Sequence, residues 1–321
     1  MVSLINPANG LALREQDGVL IDEAGNSFPT VQGIPRICEA DNYTQNFGLQ
    51  WNLFDSTQLD RPASGIELSA KRFFTETGWS RDALDGKDVL EVGSGAGRFT
   101  KVVLEETNAR LWSVDYSNAV EANLRNNGAI APKRLRLFQA SIYEMPFPDG
   151  SFDKVFCLGV LQHTPDFEAS VRALVAKAKP GGEIVVDFYP IRGWWTKLNA
   201  KYLLRPFTRR MKHDRLLGLI DRNIDWLIAA HRTLTRWRLG ALTRLLPIAD
   251  LRYVLPKGLS PKGQREWALL DTFDMFSPEY DQPQRVARVA EMFRRAGATV
   301  TFAGFVDVAG AQAAAVRAVR V

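Results

Sequence analysis

Three glycines at alternate positions, followed some twenty residues later by an aspartate, are the residues of this sequence whose spacing most clearly suggests chemistry. The stretch 89–99 reads VLEVGSGAGRF and contains Gly93, Gly95 and Gly97. Glycines allow the backbone to turn sharply and to approach a ligand closely. Asp115 follows Gly93 by 22 positions, where a carboxylate can accept hydrogen bonds from both hydroxyls of a ribose. The pattern therefore predicts a site for a ligand that contains a ribose.

The spacing of the glycines separates two ligands of this kind. A dinucleotide fingerprint is written G-x-G-x-x-G, so that the N-terminus of a helix faces a pyrophosphate. Here the spacing is G-x-G-x-G, and Glu91 precedes it. S-adenosylmethionine (SAM) has no phosphate but carries an ammonium and a sulfonium group. Because an acid before the turn suits a cationic ligand, we expect SAM here, with Glu91 contributing to its site.

These residues need parallel strands that end at one edge of a sheet. From Lys87 onwards, apolar segments alternate with helical ones at βαβ spacing, which predicts a largely parallel sheet with helices on both faces. The expected fold is α/β and Rossmann-like, with seven strands and four helices. The strands are expected at 88–92, 109–115, 134–140, 152–158, 183–189, 298–306 and 313–320, and the helices at 99–106, 118–126, 167–178 and 284–296.

At these residues the sequence resembles the class I SAM-dependent methyltransferases, in particular bacterial members of type 11. Their first motif is written here as EVGSGAG (91–97), and their second-strand acid stands in VDYS (114–117). The segments 139–166 and 179–190 resemble the signatures of the third loop and of the fourth and fifth strands. The specific part of the resemblance covers residues 86–190. It returns at 269–283 and 290–300.

The resemblance implies a role for each matching residue. The three glycines would line the methionine part of SAM, Asp115 would hold the ribose, and Tyr116 would lie beside the adenine. The acid that usually binds the adenine amino group is replaced by Ser141, whose hydroxyl can still accept a hydrogen bond. The cofactor-binding residues implied are Glu91, Gly93, Gly95, Gly97, Asp115, Tyr116, Ser141, Ile142, Leu158 and Gly159.

His163 is the first candidate for a catalytic base, because it follows the fourth strand near the expected position of the methyl group. A neutral imidazole there can take the proton of an attacking hydroxyl. The alternative is that it caps the next helix or bonds the backbone. Asp274 and Tyr280 lie in a second segment that we expect to close over the same mouth, and they are further candidates.

Residues 191–265 interrupt the α/β pattern as a basic, mostly helical insertion. They contain 17 Lys/Arg and 4 Asp/Glu, whereas the rest of the chain contains 24 and 32. Apolar residues recur at helical spacing from Leu216 to Ile228. We expect the insertion to select an anionic or membrane-associated acceptor; alternatively, its apolar stripe packs on the core. The flanking basic residues are Arg209, Arg210, Lys212, Arg215 and Arg222.

Residues 1–40 resemble a small zinc ribbon without its metal. Many bacterial methyltransferases begin with such a ribbon, and its ending is matched here by Phe28-Pro29 and by residues 33–36. The four cysteine positions hold Asn6, Asn9, Ile21 and Ala24, so we expect no structural zinc and no other metal site. The alternative is an ordinary hairpin that resembles the ribbon by chance.

The chain is expected to divide into five segments. Residues 41–85 form a helical, aromatic-rich cap with a helix at Glu67–Thr77. The full division is 1–40 (ribbon-like β segment), 41–85 (cap), 86–190 (SAM-binding core), 191–265 (basic insertion) and 266–321 (completion of the sheet).

Composition excludes several broad classes of protein. Hydrophobic residues make up 46% and charged residues 24% of the chain, which is typical of a globular domain rather than a disordered one. The two cysteines, Cys38 and Cys157, cannot build a disulfide scaffold. Without an apolar run of ~18 residues or a signal-peptide pattern, we expect a cytoplasmic protein, with contact to the inner face of the membrane through the insertion.

The function expected is transfer of a methyl group from SAM to a hydroxyl of a sugar, glycolipid or small metabolite. The Asn/Asp-Pro-Pro-aromatic motif of amine-methylating relatives is absent after the fourth strand, where residues 159–163 read GVLQH. Two alternatives stay open. One is methylation of RNA, with tryptophans of the insertion stacking on bases, and the other is a SAM-binding scaffold without catalysis. The tryptophans are Trp194, Trp195, Trp226 and Trp237.

Overall fold

One continuous sheet of eleven strands runs through the part of the chain that the computed structural model describes, which is residues 2–39, 42–60, 68–256 and 258–321. Its strands are β1 (Arg14–Gln16), β2 (Val19–Ile21), β3 (Ser27–Val31), β4 (Ile34–Ile37), β5 (Asp88–Val92), β6 (Arg110–Asp115), β7 (Leu135–Ala140), β8 (Phe152–Cys157), β9 (Ala178–Phe188), β10 (Ala298–Val308) and β11 (Ala311–Arg320).

The strand order is β1-β2-β3-β4-β7-β6-β5-β8-β9-β11-β10. The pairs β4–β7, β7–β6, β6–β5, β5–β8 and β8–β9 are parallel, and the remaining pairs are antiparallel. The seven strands from β5 to β11 form the expected Rossmann-like α/β core, which confirms the predicted fold class. The N-terminal strands extend this same sheet.

Helices cover both faces of the core and build the insertion. They are α1 (Gln45–Leu53), α2 (Leu68–Thr77), α3 (Arg98–Glu106), α4 (Val120–Asn127), α5 (Phe167–Lys177), α6 (Ala200–Thr208), α7 (His213–Arg236), α8 (Leu251–Val254), α9 (Pro261–Phe276) and α10 (Val286–Arg295). Short 3₁₀ turns occur at Asp82–Leu84, Leu161–His163, Trp194–Lys197 and Leu242–Leu245. The predicted helix start at Glu67 lies outside the described residues.

The central strands are apolar on both faces because helices cover both. Every residue of β5 is buried, as expected for a strand in the middle of a parallel sheet. Val92 and Trp112 belong to one apolar cluster, and Val89 and Leu111 belong to the cluster on the opposite face. The rigid middle of the sheet therefore places the carboxyl ends of β5, β6 and β8 side by side.

The insertion has an apolar core of its own, and this core explains the predicted stripe. Leu216, Ile220, Ile224, Leu227 and Ile228 of α7 are buried in one cluster with side chains of α9. The stripe therefore packs inside the protein, as the alternative above expects, and it is not available to meet a membrane. The predicted boundary at 265/266 also falls inside α9, because α9 completes this same cluster.

A carboxylate lies at the centre of the ribbon-like segment. The two Oδ atoms of Asp22 accept bonds from the side chains of Asn6 (2.7 Å), Asn9 (2.8 Å) and Asn26 (2.9 Å), and from the amide of Ala24 (2.9 Å). These hydrogen bonds, with that of Asn9 the largest contribution, hold the pKa of Asp22 below its ordinary value. The side chains at two of the four cysteine positions of the ribbon, Asn6 and Asn9, thus bind a carboxylate and not a metal ion.

The described residues lack a cluster of metal ligands and a membrane-spanning helix. They contain no group of three or more His, Cys, Asp or Glu side chains placed to hold a metal ion. None of the described helices is both long enough and apolar enough to cross a bilayer.

Candidate active site

The glycine turn joins β5 to α3 in a conformation that favours glycine. Gly93, Gly95 and Gly97 have φ angles of +81°, +53° and +84°. A Cβ at Gly93 would lie 2.2 Å from a methyl group of Val160, and a Cβ at Gly97 would lie 2.1 Å from the Asn127 amide nitrogen. Packing around the turn therefore excludes side chains at both positions. Gly97 precedes the first residue of α3 and is not among the residues that line the cavity.

Glu91 does not reach the ligand side of this turn, which corrects its predicted role. Its carboxylate is 2% exposed and accepts hydrogen bonds from the hydroxyls of Thr100 in α3 and Ser113 in β6. Asn123 of α4 bonds the same two hydroxyls. Burial raises the pKa of Glu91 to about 7. The residue braces the turn from inside, because its side chain points towards α3 and β6 and not into the cavity.

A cavity of about 1550 Å³ opens at the carboxyl ends of the parallel strands, which is where open α/β sheets bind their ligands. Most of the predicted site residues meet in it. Those that line the cavity are Gly93, Gly95, Asp115, Tyr116, Ile142, Leu158, Gly159, His163 and Asp274. Ser141 and Tyr280 do not line it, and neither do Glu91 and Gly97.

Asp115 holds the glycine turn against the end of β6. One oxygen accepts the amide of Gly95 at 2.8 Å, and the other accepts the amide (2.8 Å) and hydroxyl (2.6 Å) of Ser117. Burial raises the pKa of Asp115, and these bonds oppose that change. Since a carboxylate offers about four acceptor positions, Asp115 keeps the capacity to accept a hydroxyl from the cavity.

Ser141 bonds the backbone, so its predicted contact with adenine is not formed by the side chain. Its hydroxyl accepts the amide of Tyr143 at 3.2 Å, and the residue is 5% exposed. The neighbouring residues Ala140 and Ile142 face the cavity instead. Together with the ring of Tyr116 they offer an apolar wall beside Asp115, which suits an adenine.

Three buried polar side chains in the cavity wall fit a polar ligand such as SAM. Gln50, Ser94 and Gln162 all line the cavity, and their side-chain polar atoms have no partner among the described residues. Leaving such a group unpaired costs about 1–3 kcal/mol, and several in one wall are uncommon. An amino-acid moiety or a hydroxylated acceptor would satisfy them, so the residues present fit the cofactor.

His163 is oriented by the backbone. Its Nδ1 lies 3.0 Å from the carbonyl oxygen of Tyr280, and since a carbonyl only accepts, Nδ1 carries the hydrogen. Nε2 of the neutral ring is then the acceptor. Burial lowers the pKa of His163, so the ring is neutral at neutral pH. The rings of Phe47 and Tyr189 flank it, with centroids 5.2 and 5.5 Å away.

The second segment contributes to this corner in two ways. The carboxylate of Asp274 lines the cavity and accepts the hydroxyl of Tyr189 at 3.1 Å. Tyr280 acts through its carbonyl on His163, while its ring packs against Tyr43. The segment thus contributes Asp274 to the cavity wall, whereas Tyr280 acts as a positioning residue.

A buried charge network was missed by sequence reasoning. Arg72 pairs with Glu76 (2.9 Å) and with Asp187, which also accepts the amide of Gly159. Arg72, Glu76 and Asp187 line the cavity, and burial raises the pKa of Glu76 to about 7. One signal was present in the sequence: an aspartate inside the apolar strand EIVVDFY (183–189) must be buried and therefore paired.

A second missed acid is Asp271, which lies one helical turn before Asp274. Burial, and then the charge of Asp274, raise the pKa of Asp271 to about 8. Its side chain accepts the amide of Gln58 at 3.1 Å, and both acids line the cavity. These two acids give the part of the cavity lined by α9 carboxyl groups that can bond a polar ligand.

Comparison with known proteins agrees with this geometry. Residues 90–186 match the Methyltransf_11 family model, described as "Methyltransferase domain". The chain is 32% identical over 110 residues to tRNA U34 carboxymethyltransferase of Nautilia profundicola, covering 34% of this chain and 37% of that protein. It is 29% identical over 133 residues to the ubiquinone/menaquinone biosynthesis C-methyltransferase UbiE of Vibrio campbellii, covering 40% and 49%.

A third similar protein is the ubiquinone biosynthesis O-methyltransferase of Sodalis glossinidius, 30% identical over 149 residues, with 43% of this chain and 59% of that protein covered. The chain thus spans between about a third and three fifths of the length of these relatives. The matched part contains the glycine turn, Asp115 and His163. Residues 90–186 therefore form a methyltransferase domain similar to the Methyltransf_11 family.

Proposed function

We propose that the protein transfers a methyl group from SAM to a hydroxyl of a sugar, glycolipid or small metabolite. The observation that supports this most directly is that one cavity contains both the glycine turn with Asp115 and the neutral imidazole of His163. Cofactor and acceptor can then meet at the end of β8. The volume of about 1550 Å³ leaves room for both.

SAM supplies an activated methyl group when it is bound, so the chain mainly has to position and deprotonate the acceptor. Asp115 would hold the ribose, and the wall of Tyr116 and Ile142 would hold the adenine. His163 Nε2 would accept the proton of the acceptor hydroxyl as that oxygen attacks. Among the charges around His163, that of Asp274 opposes the lowering of its pKa most strongly, and it would stabilise the imidazolium that results.

The lining of the cavity near α9 supports a hydroxylated acceptor. Asp271, Asp274 and Tyr189 offer acceptors and a donor there, and Lys201 adds a cation. Lys201 Nζ lies 2.7 Å from Asp281 and 4.5 Å from the ring centre of Tyr189. A polyhydroxylated molecule would pair with such groups. The similar proteins include both C- and O-methyltransferases by name, so the atom methylated is part of the test.

The test uses SAM carrying a ¹³C- and ³H-labelled methyl group, incubated with the full chain and a fractionated lysate. We expect label in a small or lipid-linked molecule, with the ¹³C shift of an oxygen-bound methyl. The comparison protein is His163→Gln, which should bind S-adenosylhomocysteine (SAH) normally but transfer label slowly. A carbon-bound methyl would overturn the O-methyl assignment, label confined to nuclease-sensitive RNA would overturn the acceptor class, and SAH binding without transfer would leave only a scaffold.

A further inference from the structure

Helix α6 presents its apolar side chains outward and its charged side chains inward. Leu203 and Phe207 are 64% and 71% exposed, whereas Lys201 and Arg205 are each 8% exposed. Lys201 pairs with Asp281, and Arg205 donates to the carbonyl of Pro278 at 2.8 Å. A surface helix normally shows the opposite arrangement. The outer face of α6 therefore resembles a surface that is buried when the protein binds a partner.

Exposed apolar side chains continue on both sides of α6. In the preceding 3₁₀ turn, Trp194 is 79% exposed, and Leu198 is 56% exposed. The 3₁₀ turn Leu242–Leu245 lies against the same place, because Arg244 donates to the carbonyl of Trp195 at 2.6 Å. We call this set the apolar rim. It consists of Trp194, Trp195, Leu198, Leu203, Phe207 and Leu245.

The chain around the apolar rim is strongly basic. The segment 192–212 contains seven Lys/Arg and no Asp/Glu, although Lys201 and Arg205 among the seven point inward, and the segment 236–249 contains three Lys/Arg and no Asp/Glu. Arg209 and Arg210 are exposed immediately after α6. Since the remainder of the chain outside 191–265 is acidic, the positive field is concentrated on this side of the molecule.

Apolar side chains, tryptophans and basic residues on one face match the chemistry of an anionic bilayer. A second copy of the chain is a poorer match, because a symmetric contact would place the same positive charges against each other. An RNA would neutralise the arginines, but it would leave leucine and phenylalanine side chains without an apolar partner. Charge and apolar surface together thus favour a lipid surface.

The apolar rim also borders the cavity. Thr196, Asn199 and Arg244 line the cavity, and each is within three residues in sequence of a member of the rim. We propose that the apolar rim docks on an anionic lipid bilayer, so that an acceptor held in the bilayer enters the cavity directly. The docking stands on the rim itself, whereas the entry of an acceptor rests on the proposed function.

The experiment is flotation of the full chain with vesicles of phosphatidylcholine alone and of phosphatidylcholine mixed with phosphatidylglycerol. We expect binding to the mixed vesicles that weakens as salt rises, because exposed charges are screened within ~10 Å at 0.1 M. The double variant Leu203→Gln/Phe207→Gln should lower the bound fraction about tenfold or more. Arg209→Glu/Arg210→Glu should remove the preference for the anionic vesicles.

The matched control is Leu219→Gln/Trp226→Gln, which changes two exposed apolar residues of α7, 48% and 53% exposed. It should bind vesicles like the unchanged protein. All variants are checked for folding by thermal unfolding and by SAH binding, neither of which needs lipid. A control variant that loses vesicle binding as fully as the rim variant would remove the assignment to the rim.

Three other results would overturn the proposal. These are no binding to anionic vesicles at low salt, a stable dimer that the rim variant converts to monomer, and tight RNA binding without vesicle binding. Flotation requires neither cofactor nor acceptor. A failure of methyl transfer therefore leaves the docking result unchanged, and a failure of docking leaves SAH binding and transfer to a soluble acceptor unchanged.

Discussion

The carboxylate of Asp115 has two roles in this site, one structural and one proposed for ligand binding. Its oxygens accept the amides of Gly95 and Ser117, which fixes the end of β6 against the glycine turn. The same group lines the cavity and is proposed to accept the ribose hydroxyls. A change at this residue therefore acts on the ligand and on the loop that holds it, and the two effects need separate variants.

Asp115→Ala should weaken SAH binding by about 1–3 kcal/mol, or about five- to 150-fold, because ribose hydroxyls lose their acceptor. Isothermal calorimetry measures this directly. Asp115→Asn keeps an acceptor for the turn, so its affinity for SAH should lie between that of Asp115→Ala and that of the unchanged protein. Ser141→Ala is the control, since Ser141 bonds the Tyr143 amide outside the cavity. Equal affinity of Asp115→Ala and the unchanged protein would refute the role of Asp115.

The pH dependence of methyl transfer should report on His163. Burial lowers its pKa below the ordinary 6.5, so the base form is present at neutral pH and is lost only when the pH falls through that lower value. We expect kcat/KM to be level from about pH 6.5 upwards and to decline only when the pH falls through the lowered pKa of His163. His163→Gln should lose this acidic limb together with most of kcat. An unchanged profile in that variant would assign the limb to another group.

Residues whose roles follow from local pattern were predictable from the sequence, and those whose partners are distant were not. The glycine turn, Asp115 and His163 stand next to strand ends, so strand assignment alone places them. Arg72 meets Asp187 across 115 positions of chain, and no local pattern encodes that meeting. The prediction that Glu91 contributes to the SAM site was wrong for a related reason. The position of Glu91 in the strand does not say which face of β5 it occupies.

At the scale of elements, periodicity predicted the helices of the insertion but not what each helix covers. The stripe of α7 is buried by α9, as core-facing stripes usually are. In α6 the burial of Lys201 and Arg205 is set by Asp281 and the backbone near Pro278, which lie some 75 residues later. Only the folded chain shows that the basic face is the inner one.

The ribbon-like segment depends on one side chain, because Asp22 connects Asn6, Asn9 and Asn26. Asp22→Ala leaves three amides without their common acceptor, so we expect faster amide hydrogen exchange across β1–β3 while β5–β9 keep their protection. Glu23→Ala changes the neighbouring exposed acid, which pairs with Arg14 at 3.3 Å on the surface, and this variant should exchange normally. Exchange accelerated equally in both variants would contradict this account.

For the molecule as a whole, buried acids in and behind the site make the free energy of unfolding dependent on pH. Glu91 binds its proton more tightly in the folded state, with a pKa of about 7 against 4.5. The free energy of unfolding therefore falls as pH rises through this interval, and the full cost is present above it. For Glu91 alone the cost is of the order of 3 kcal/mol.

Glu91→Gln should remove that contribution, because the amide keeps an acceptor for Thr100 and Ser113 without a charge. Urea unfolding between about pH 4.5 and 7 should show a shallower decline in the variant than in the unchanged protein. Asp271 and Glu76 titrate in both proteins and cancel in the difference. Glu105→Gln makes the same substitution on the surface and should follow the unchanged protein. Parallel curves for Glu91→Gln would show that Glu91 is charged in the fold.

The pairing of β4 with β7 affects how readily the chain aggregates in solution. Arg36 and Ile37 of β4 pair with Gln139 and Ala140 of β7, so β7 is an interior strand of the sheet. The outer strand on that side is β1, three polar residues that are all exposed. Short polar borders of this kind resist strand-to-strand aggregation. Removal of residues 1–39 would turn the apolar strand β7 into the border, and the shortened chain would precipitate or polymerise along it.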